Sequence, residues 1–162
     1  MITRDIELKS AALKERFGDA LTINAINGEV LDVLAAPGQV KGVLSFVKND
    51  PRLDFHMLHD LTAVDYPSDG QIGVIYRLFR VGENPEQLVV RVRLDRQEPK
   101  APTVTDLWGN AGFLEREAYD MFGIHFDGHP DLTRLLLWDG FPGHPLRKDF
   151  KMQEEGKGGE AR

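Results

Sequence analysis

Ile72-Gly73-Val74-Ile75-Tyr76-Arg77-Leu78-Phe79-Arg80-Val81, then Gly82-Glu83-Asn84-Pro85, then Leu88-Val89-Val90-Arg91-Val92-Arg93-Leu94 is the stretch that decides the fold. Two β-rich runs flank a short breaker, which reads as a hairpin. In the second run Leu88, Val90, Val92 and Leu94 point one way and Arg91 and Arg93 the other. Period two with one charged side describes a strand buried on one face only, as in an antiparallel sheet.

Toward the N-terminus, Leu53, Phe55 and Met57 alternate with Asp54 and His56, a pattern that predicts another half-buried strand. Asp60 and Asp65 are expected to end that strand in turns, a common place for Asp, rather than to catalyse. Pro37 opens a helix with the stripe Val40, Val43, Leu44 and Val47, ended by Asn49-Asp50-Pro51. The runs Leu21–Ile26 and Val30–Leu34 surround Asn27-Gly28, a type I′ hairpin signal. Residues 4–17 predict a first helix, with Gly18 as its stop.

Toward the C-terminus, Glu98-Pro99-Lys100-Ala101-Pro102 reads as a linker. A third helix is expected over Thr105–Phe122, carrying Leu107, Ala111, Leu114, Ala118, Met121 and Phe122 on one stripe. Gly109 and Gly112 each cost about 1 kcal/mol against Ala and allow a kink or split. Gly123 is a natural stop. From Ile124 to Phe150 no period lasts. The element order predicts an α+β domain at 1–122, with helices on a mostly antiparallel sheet. An extended partner-binding arm at 123–150 and a disordered tail at 151–162 complete the expected organisation.

Composition narrows the chemistry. The chain has 162 residues, 41% hydrophobic and 28% charged, a length that suits one domain with its own core. A formal net charge of −6 argues against a nucleic-acid footprint. With no cysteine, disulfides and iron–sulfur ligation by this chain are excluded. Met1 to Lys14 has no apolar signal-peptide core, and no run reaches the ~18 apolar residues of a membrane span.

Candidate catalytic patterns are weak. His125 and His129 have a helical metal spacing but fall after the helix stop, beside Gly128 and Pro130. His129 and His144 each precede a proline and are expected to bond locally to backbone. Glu115 and Glu117, at i and i+2, do not share a helix face and cannot work on one bond. Arg116 and Asp120 can pair at i, i+4, and a solvated helix face is the plain reading of this cluster. No nucleotide-binding glycine motif and no serine elbow is present. The arm remains: a structureless stretch this long inside a compact domain usually has a function. Trp138 and Phe141 are its candidate anchors, with Arg134, Arg147, Lys148 and Asp149 as polar contacts. The alternative is an arm folded back on its own sheet.

Glu115-Arg116-Glu117-Ala118-Tyr119-Asp120-Met121-Phe122-Gly123-Ile124, Gly128-His129-Pro130, Leu132, Arg134-Leu135-Leu136 and Gly143-His144-Pro145-Leu146-Arg147-Lys148-Asp149-Phe150 resemble the C-subunit of respiratory complex I, the proton-translocating NADH:quinone oxidoreductase. His59-Asp60-Leu61-Thr62-Ala63-Val64-Asp65-Tyr66 also resembles a segment of that family. The resemblance implies a non-catalytic subunit of the peripheral arm on the cytoplasmic face of the cell inner membrane. It implies no cofactor on this chain, with flavin and iron–sulfur clusters on partner subunits. The implied partners are peripheral-arm subunits forming the quinone cavity and holding the terminal cluster, with the membrane reached only through the complex. Glu115, Arg116, Glu117, Asp120, His129, Arg134, Trp138, Phe141, His144, Arg147, Lys148 and Asp149 are the implied interface signature. The chain stops soon after Phe150, so the fused form that shares one polypeptide with the neighbouring D-subunit is not expected. Related hydrogenase and photosynthetic complexes keep the electron donor open. A free-standing hydrolase with a metal at His125 and His129 is the rival from another class.

Overall fold

The computed structural model describes residues 2–26, 30–82 and 85–152. Seven strands and three α-helices are defined there. They are α1 (Ile2–Phe17), β1 (Leu21–Ile26), β2 (Val30–Ala35), α2 (Val40–Asn49), β3 (Met57–Tyr66), β4 (Gln71–Arg80), β5 (Glu86–Asp95), β6 (Lys100–Pro102), α3 (Ala111–Phe122) and β7 (His125–Asp127). The Asn27-Gly28 turn, Glu83-Asn84 and the tail from residue 153 lie outside the described residues.

The first five strands form one sheet in the order β1-β2-β5-β4-β3. All its pairings are antiparallel except β2 with β5, which is parallel. The hairpin register places Tyr76 opposite Val90 and Val74 opposite Val92. That row is the inward face: Ile72, Val74, Tyr76, Leu78, Leu88, Val90 and Val92 are all fully buried. Leu13 of α1, Val40, Val43, Leu44 and Val47 of α2, and Ala111, Ala118, Met121 and Phe122 of α3 join it in one core. Arg91 and Arg93 take the opposite face, as their alternation predicts. There Arg91 pairs with Asp32 at 2.7 Å, and the Arg93 guanidinium lies 3.6 Å from the Tyr66 ring centre.

Three local expectations need correction. Leu53 and Phe55 are buried as expected, but they are not in a strand. The amides of Leu53 and Asp54 return to the Asp50 carbonyl and that of Phe55 to the Val47 carbonyl, with Asp54 at φ 53°. A turn closing α2 thus mimics alternation, and β3 begins only at Met57. Asp60 and Asp65 lie within β3, and Asp65 is buried rather than in a turn. Helix α3 starts at Ala111, so the split read from Gly109 is real. Residues 104–110 turn back on β3 instead: the Trp108 indole donates to the His56 carbonyl at 2.9 Å and Asn110 to the Leu58 carbonyl at 2.8 Å.

The linker and the first arm residues also form a structure that periodicity does not show. β6 and β7 pair in parallel, Ala101 against Phe126. Three residues each are too few for a visible period. Their pairing fixes the start of the arm on the body of the domain.

Candidate docking arm

α3 ends where its last carbonyls can be capped. Gly123 adopts φ 75°, a left-handed conformation, and its N–H caps the Tyr119 carbonyl at 2.8 Å. A Cβ there would lie 2.6 Å from the His144 ring, so conformation and space both demand glycine.

Asp120, fully buried in the last turn of α3, holds the first half of the arm. Its Oδ2 accepts the backbone N–H groups of Leu135, Leu136 and Leu137 at 3.1, 2.8 and 2.9 Å. Its Oδ1 accepts from Arg134 at 3.0 Å. Burial pushes the carboxyl pKa up, but the three N–H groups and the guanidinium outweigh it, and the net shift is downward. Arg134 also donates to the carbonyls of Phe141 and Gly143. Arg116 donates to the carbonyls of Thr133 and Arg134 at 3.1 and 2.9 Å. Asp120 therefore pairs with Arg134 from the arm, in place of the expected i, i+4 pair with Arg116.

Asp65 holds the second half. Its carboxylate takes both an Nε and an Nη2 bond from Arg96, at 2.7 and 3.0 Å, and the Lys148 backbone N–H at 2.8 Å. Arg96 reaches on to Asp149 at 2.8 Å. The guanidinium holds both carboxylates below the ordinary aspartate range. Arg147 donates to the Phe122 carbonyl at 2.6 Å, and the Leu146 amide to that of Met121 at 3.1 Å. His144 Nδ1 donates to the Asp120 carbonyl at 3.0 Å.

Glu115 is fully buried, not on a solvated face. It accepts from the Thr103 hydroxyl at 2.6 Å and the Val104 N–H at 2.7 Å, locking α3 onto the end of β6. Burial pushes its pKa up, partly offset by these bonds. His129 accepts the Asp131 N–H on Nδ1 and donates from Nε2 to the Gly112 carbonyl, both at 3.0 Å. The first bond is the local one expected; the second reaches across to α3. Both ring nitrogens are engaged, while His125 is exposed beside Asp127 at 3.4 Å. Among the described residues no group of three or more His, Asp or Glu is placed to hold a metal. Glu117 and the side chains of Trp138, Lys148 and Asp149 are exposed. Phe141 is buried, between Trp138 at 4.7 Å edge-on and Phe150 stacked at 5.7 Å.

The signature thus divides into groups that strap the arm down and groups that face outward. Asp65, Arg96 and Thr103 belong to the strap too, although nothing in their sequence context singles them out as such at first sight. The signal for Asp65 is nonetheless there: it continues the Leu61, Ala63 parity, so in a strand it must face inward.

These observations define an α+β domain whose long C-terminal arm is fastened to it by buried carboxylates. Residues 33–156 match the family described as the respiratory-chain NADH dehydrogenase 30 kDa subunit, and the chain belongs to that family. It is 54% identical over 102 residues to the NADH-quinone oxidoreductase C-subunit of Moorella thermoacetica, covering 63% of this chain and 68% of the relative. With the C-subunit of Chloroherpeton thalassium it shares 37% identity over 150 residues, 91% of this chain and 62% of the relative. Among solved structures, a chain of the membrane-bound sulfane sulfur reductase, an archaeal respiratory membrane complex, superposes with a TM-score of 0.76 at 25% identity. That match covers 91% of this chain and 86% of the other. A trypsin-resistant fragment of Nqo5 superposes with a TM-score of 0.65 at 33% identity, covering 76% of this chain and 98% of the fragment.

Proposed function

We propose that this chain is a non-catalytic structural subunit of the peripheral arm of a complex I-type NADH:quinone oxidoreductase. The whole enzyme moves electrons from NADH to quinone and couples this to proton translocation. Flavin and iron–sulfur clusters belong to partner subunits in this reading. The observation that carries it is the arm itself, inside the family match over 33–156. Asp65, Asp120, Arg116, Arg134 and Arg147 hold its chain segments in register. Residues 123–150 are then the partner-binding element. Glu115, Arg116, Glu117, Asp120, His129, Arg134, Trp138, Phe141, His144, Arg147, Lys148 and Asp149 build or present it.

No helix among the described residues is long and apolar enough to cross a membrane. Attachment to the cytoplasmic face of the inner membrane would therefore run through the quinone-cavity and terminal-cluster subunits. A second reading places the same scaffold in a related respiratory or hydrogenase-type complex. It is favoured by the superposition on the sulfane sulfur reductase complex, which covers 91% of this chain. Affinity purification of the tagged chain from native membranes, with mass spectrometry, tests both. Co-recovery of NADH-oxidising subunits supports the first reading, and other donor modules support the second. Recovery of the chain alone from soluble fractions would sink the assembly role.

A further inference from the structure

The five-stranded sheet has two edges, β3 and β1, and only one is covered. Along β3, Asn110 bonds the Leu58 carbonyl, and the Lys148 N–H of the arm reaches Asp65. At β1, no strand but β2 pairs with it among the described residues. Its sequence, Leu21-Thr22-Ile23-Asn24-Ala25-Ile26, holds neither a charge nor a proline. Charges and prolines are the usual guards against edge pairing, so a neutral, unguarded edge is a template for another strand. The Ala36 N–H donates to the Ala20 carbonyl, and β1 continues that ladder with Thr22 opposite Leu34 and Asn24 opposite Asp32. In an antiparallel pair the intervening residues turn their N–H and C=O groups outward, here those of Ile23 and Ala25.

Beside this edge, α1 and β1 border an open groove of about 360 Å³. Ile23 and Asn24 both line it, although successive residues of a strand point to opposite faces, so the groove opens at the edge itself. Its helix wall is Glu7, Ser10, Ala11 and Lys14, which share one face at i, i+3, i+4 and i+7. Along α1 that face runs acid, small, small, base. A two-fold rotation between Ser10 and Ala11 therefore sets Glu7 against the partner subunit's Lys14, twice over, with small residues at the crossing. The strand has its midpoint at the same level. Ser10 and Ala11 lie ~10 Å back from Phe17 along the helix, and Asn24 ~10 Å on from Leu21 along the strand, across the short turn Gly18–Ala20.

We infer that this edge and groove bind a second copy of the chain, with β1 pairing antiparallel to its counterpart about a two-fold axis near Asn24. Ile23 exchanges N–H···O bonds with the partner subunit's Ala25, and Ala25 with the partner subunit's Ile23. The two sheets become one, and the two α1 helices run antiparallel over the seam. Ser10 and Ala11 let the helices approach closely, and the two Glu7–Lys14 pairs fix their register. An extended segment of another polypeptide satisfies only the backbone of β1. The inverted charges of α1 match a copy of the same face, which is why the occupant is this chain. The inference is independent of the assembly reading above.

The experiment is sedimentation velocity on the full-length chain over a rising concentration series. Wild-type chain is expected to pass from monomer to dimer, with exchange of the Ile23 amide slowing in step. Glu7→Lys sets two pairs of like charges across the seam and should weaken the dimer by about tenfold. Lys14→Glu should do the same, and the double variant Glu7→Lys, Lys14→Glu should restore the wild-type constant. Ala25→Pro removes an outward N–H while sparing the bonds to β2, and should abolish dimerisation. The charge variants sit at exposed positions, so they decide the matter even if Ala25→Pro does not fold. A monomer at every concentration overturns the inference, as does a dimer indifferent to both charge reversals. An Ile23 amide that gains protection only when membranes carrying the complex are added assigns the edge to another polypeptide and overturns it too.

Discussion

The β4–β5 hairpin and the arm over residues 123–150 are similar in length but are held by opposite means. In the hairpin, seven inward residues are fully buried and each packs against a neighbour from a helix or an adjacent strand. Stability there is spread over many small, similar contributions. In the arm, Ile124, Phe126 and Phe141 are the buried apolar residues. Leu132 and Leu137 add partial packing, and most of the remaining hold comes from polar bonds, chiefly those of Asp120, Asp65, Arg116, Arg134 and Arg147. A region held by dispersed packing fails as a whole, while one held by a few pins can open locally. A chain that must present a surface in one fixed geometry can use the second arrangement without building a second core.

The largest effect should come from breaking the dispersed region. Val90 sits fully buried between β4 and β2. Val90→Asp would bury a charge with no partner, costing roughly 3–5 kcal/mol, enough to unfold a marginal domain. Denaturant titration followed by circular dichroism should show a single transition at far lower midpoint, with sheet and arm lost together. Asp120→Ala should break the other region alone. It orphans three backbone N–H groups and a guanidinium, at about 3 kcal/mol. Exchange of the Leu135, Leu136 and Leu137 amides should accelerate about 100-fold, the rate equivalent of that loss, while the Val90 amide keeps its protection. Equal acceleration at both places would mean that the arm and sheet are one cooperative unit.

This contrast also explains what the sequence disclosed. Packing leaves a period: Leu88, Val90, Val92 and Leu94 reveal the strand, its orientation and the arginines on its opposite face at once. The α2 stripe is equally plain. Pins leave none. Asp120 and Glu115 look like solvent-facing acids on a helix, because their partners are backbone amides and a hydroxyl brought in by chain reversal, at Leu135–Leu137, Thr103 and Val104. Backbone donors have no identity in a sequence. Leu53 and Phe55 mislead for the converse reason. A turn with a left-handed Asp54 sends alternate side chains inward just as a strand would. The arm as a unit is legible through its length and its broken periodicity, and its signature residues point to the family. Which of those residues face inward needs the fold.

Arg147→Ala should be milder than loss of Asp120. It removes a guanidinium bond to the Phe122 carbonyl, about 1.5–3 kcal/mol by the usual range for charged donors, close to the chain surface. It should weaken retention in the complex more than it lowers the thermal midpoint of the free chain. An unchanged complex with an unstable free chain would count against the interface role.

Acid should separate the regions without mutation. Asp120 and Asp65 have folded-state pKa values below the ordinary 3.8, so their contribution is complete above that value and is lost as pH falls through the depressed ones. Glu115 runs the other way: its raised pKa makes its contribution complete below the ordinary 4.5 and lost as pH rises through the folded value. Acidification from neutral pH therefore first relieves Glu115 and then releases the arm. Exchange measured below pH 3.8, corrected for intrinsic rates, should show the 135–137 and Lys148 amides opening while Val90 stays protected.

The smallest effect should fall on Glu117, which the sequence cannot tell from Glu115 two residues earlier. Glu117 is exposed, one residue on from the strap's Arg116. Glu117→Ala should change the free chain's stability by no more than about 0.5 kcal/mol, the usual range for a surface site. Glu115→Ala leaves the Thr103 hydroxyl and Val104 N–H without their acceptor in a dry site, a loss of about 1–3 kcal/mol. If the two variants shift the denaturant midpoint equally, α3 does not seat on β6 through Glu115, and the arm's first attachment must lie in the β6–β7 pairing alone.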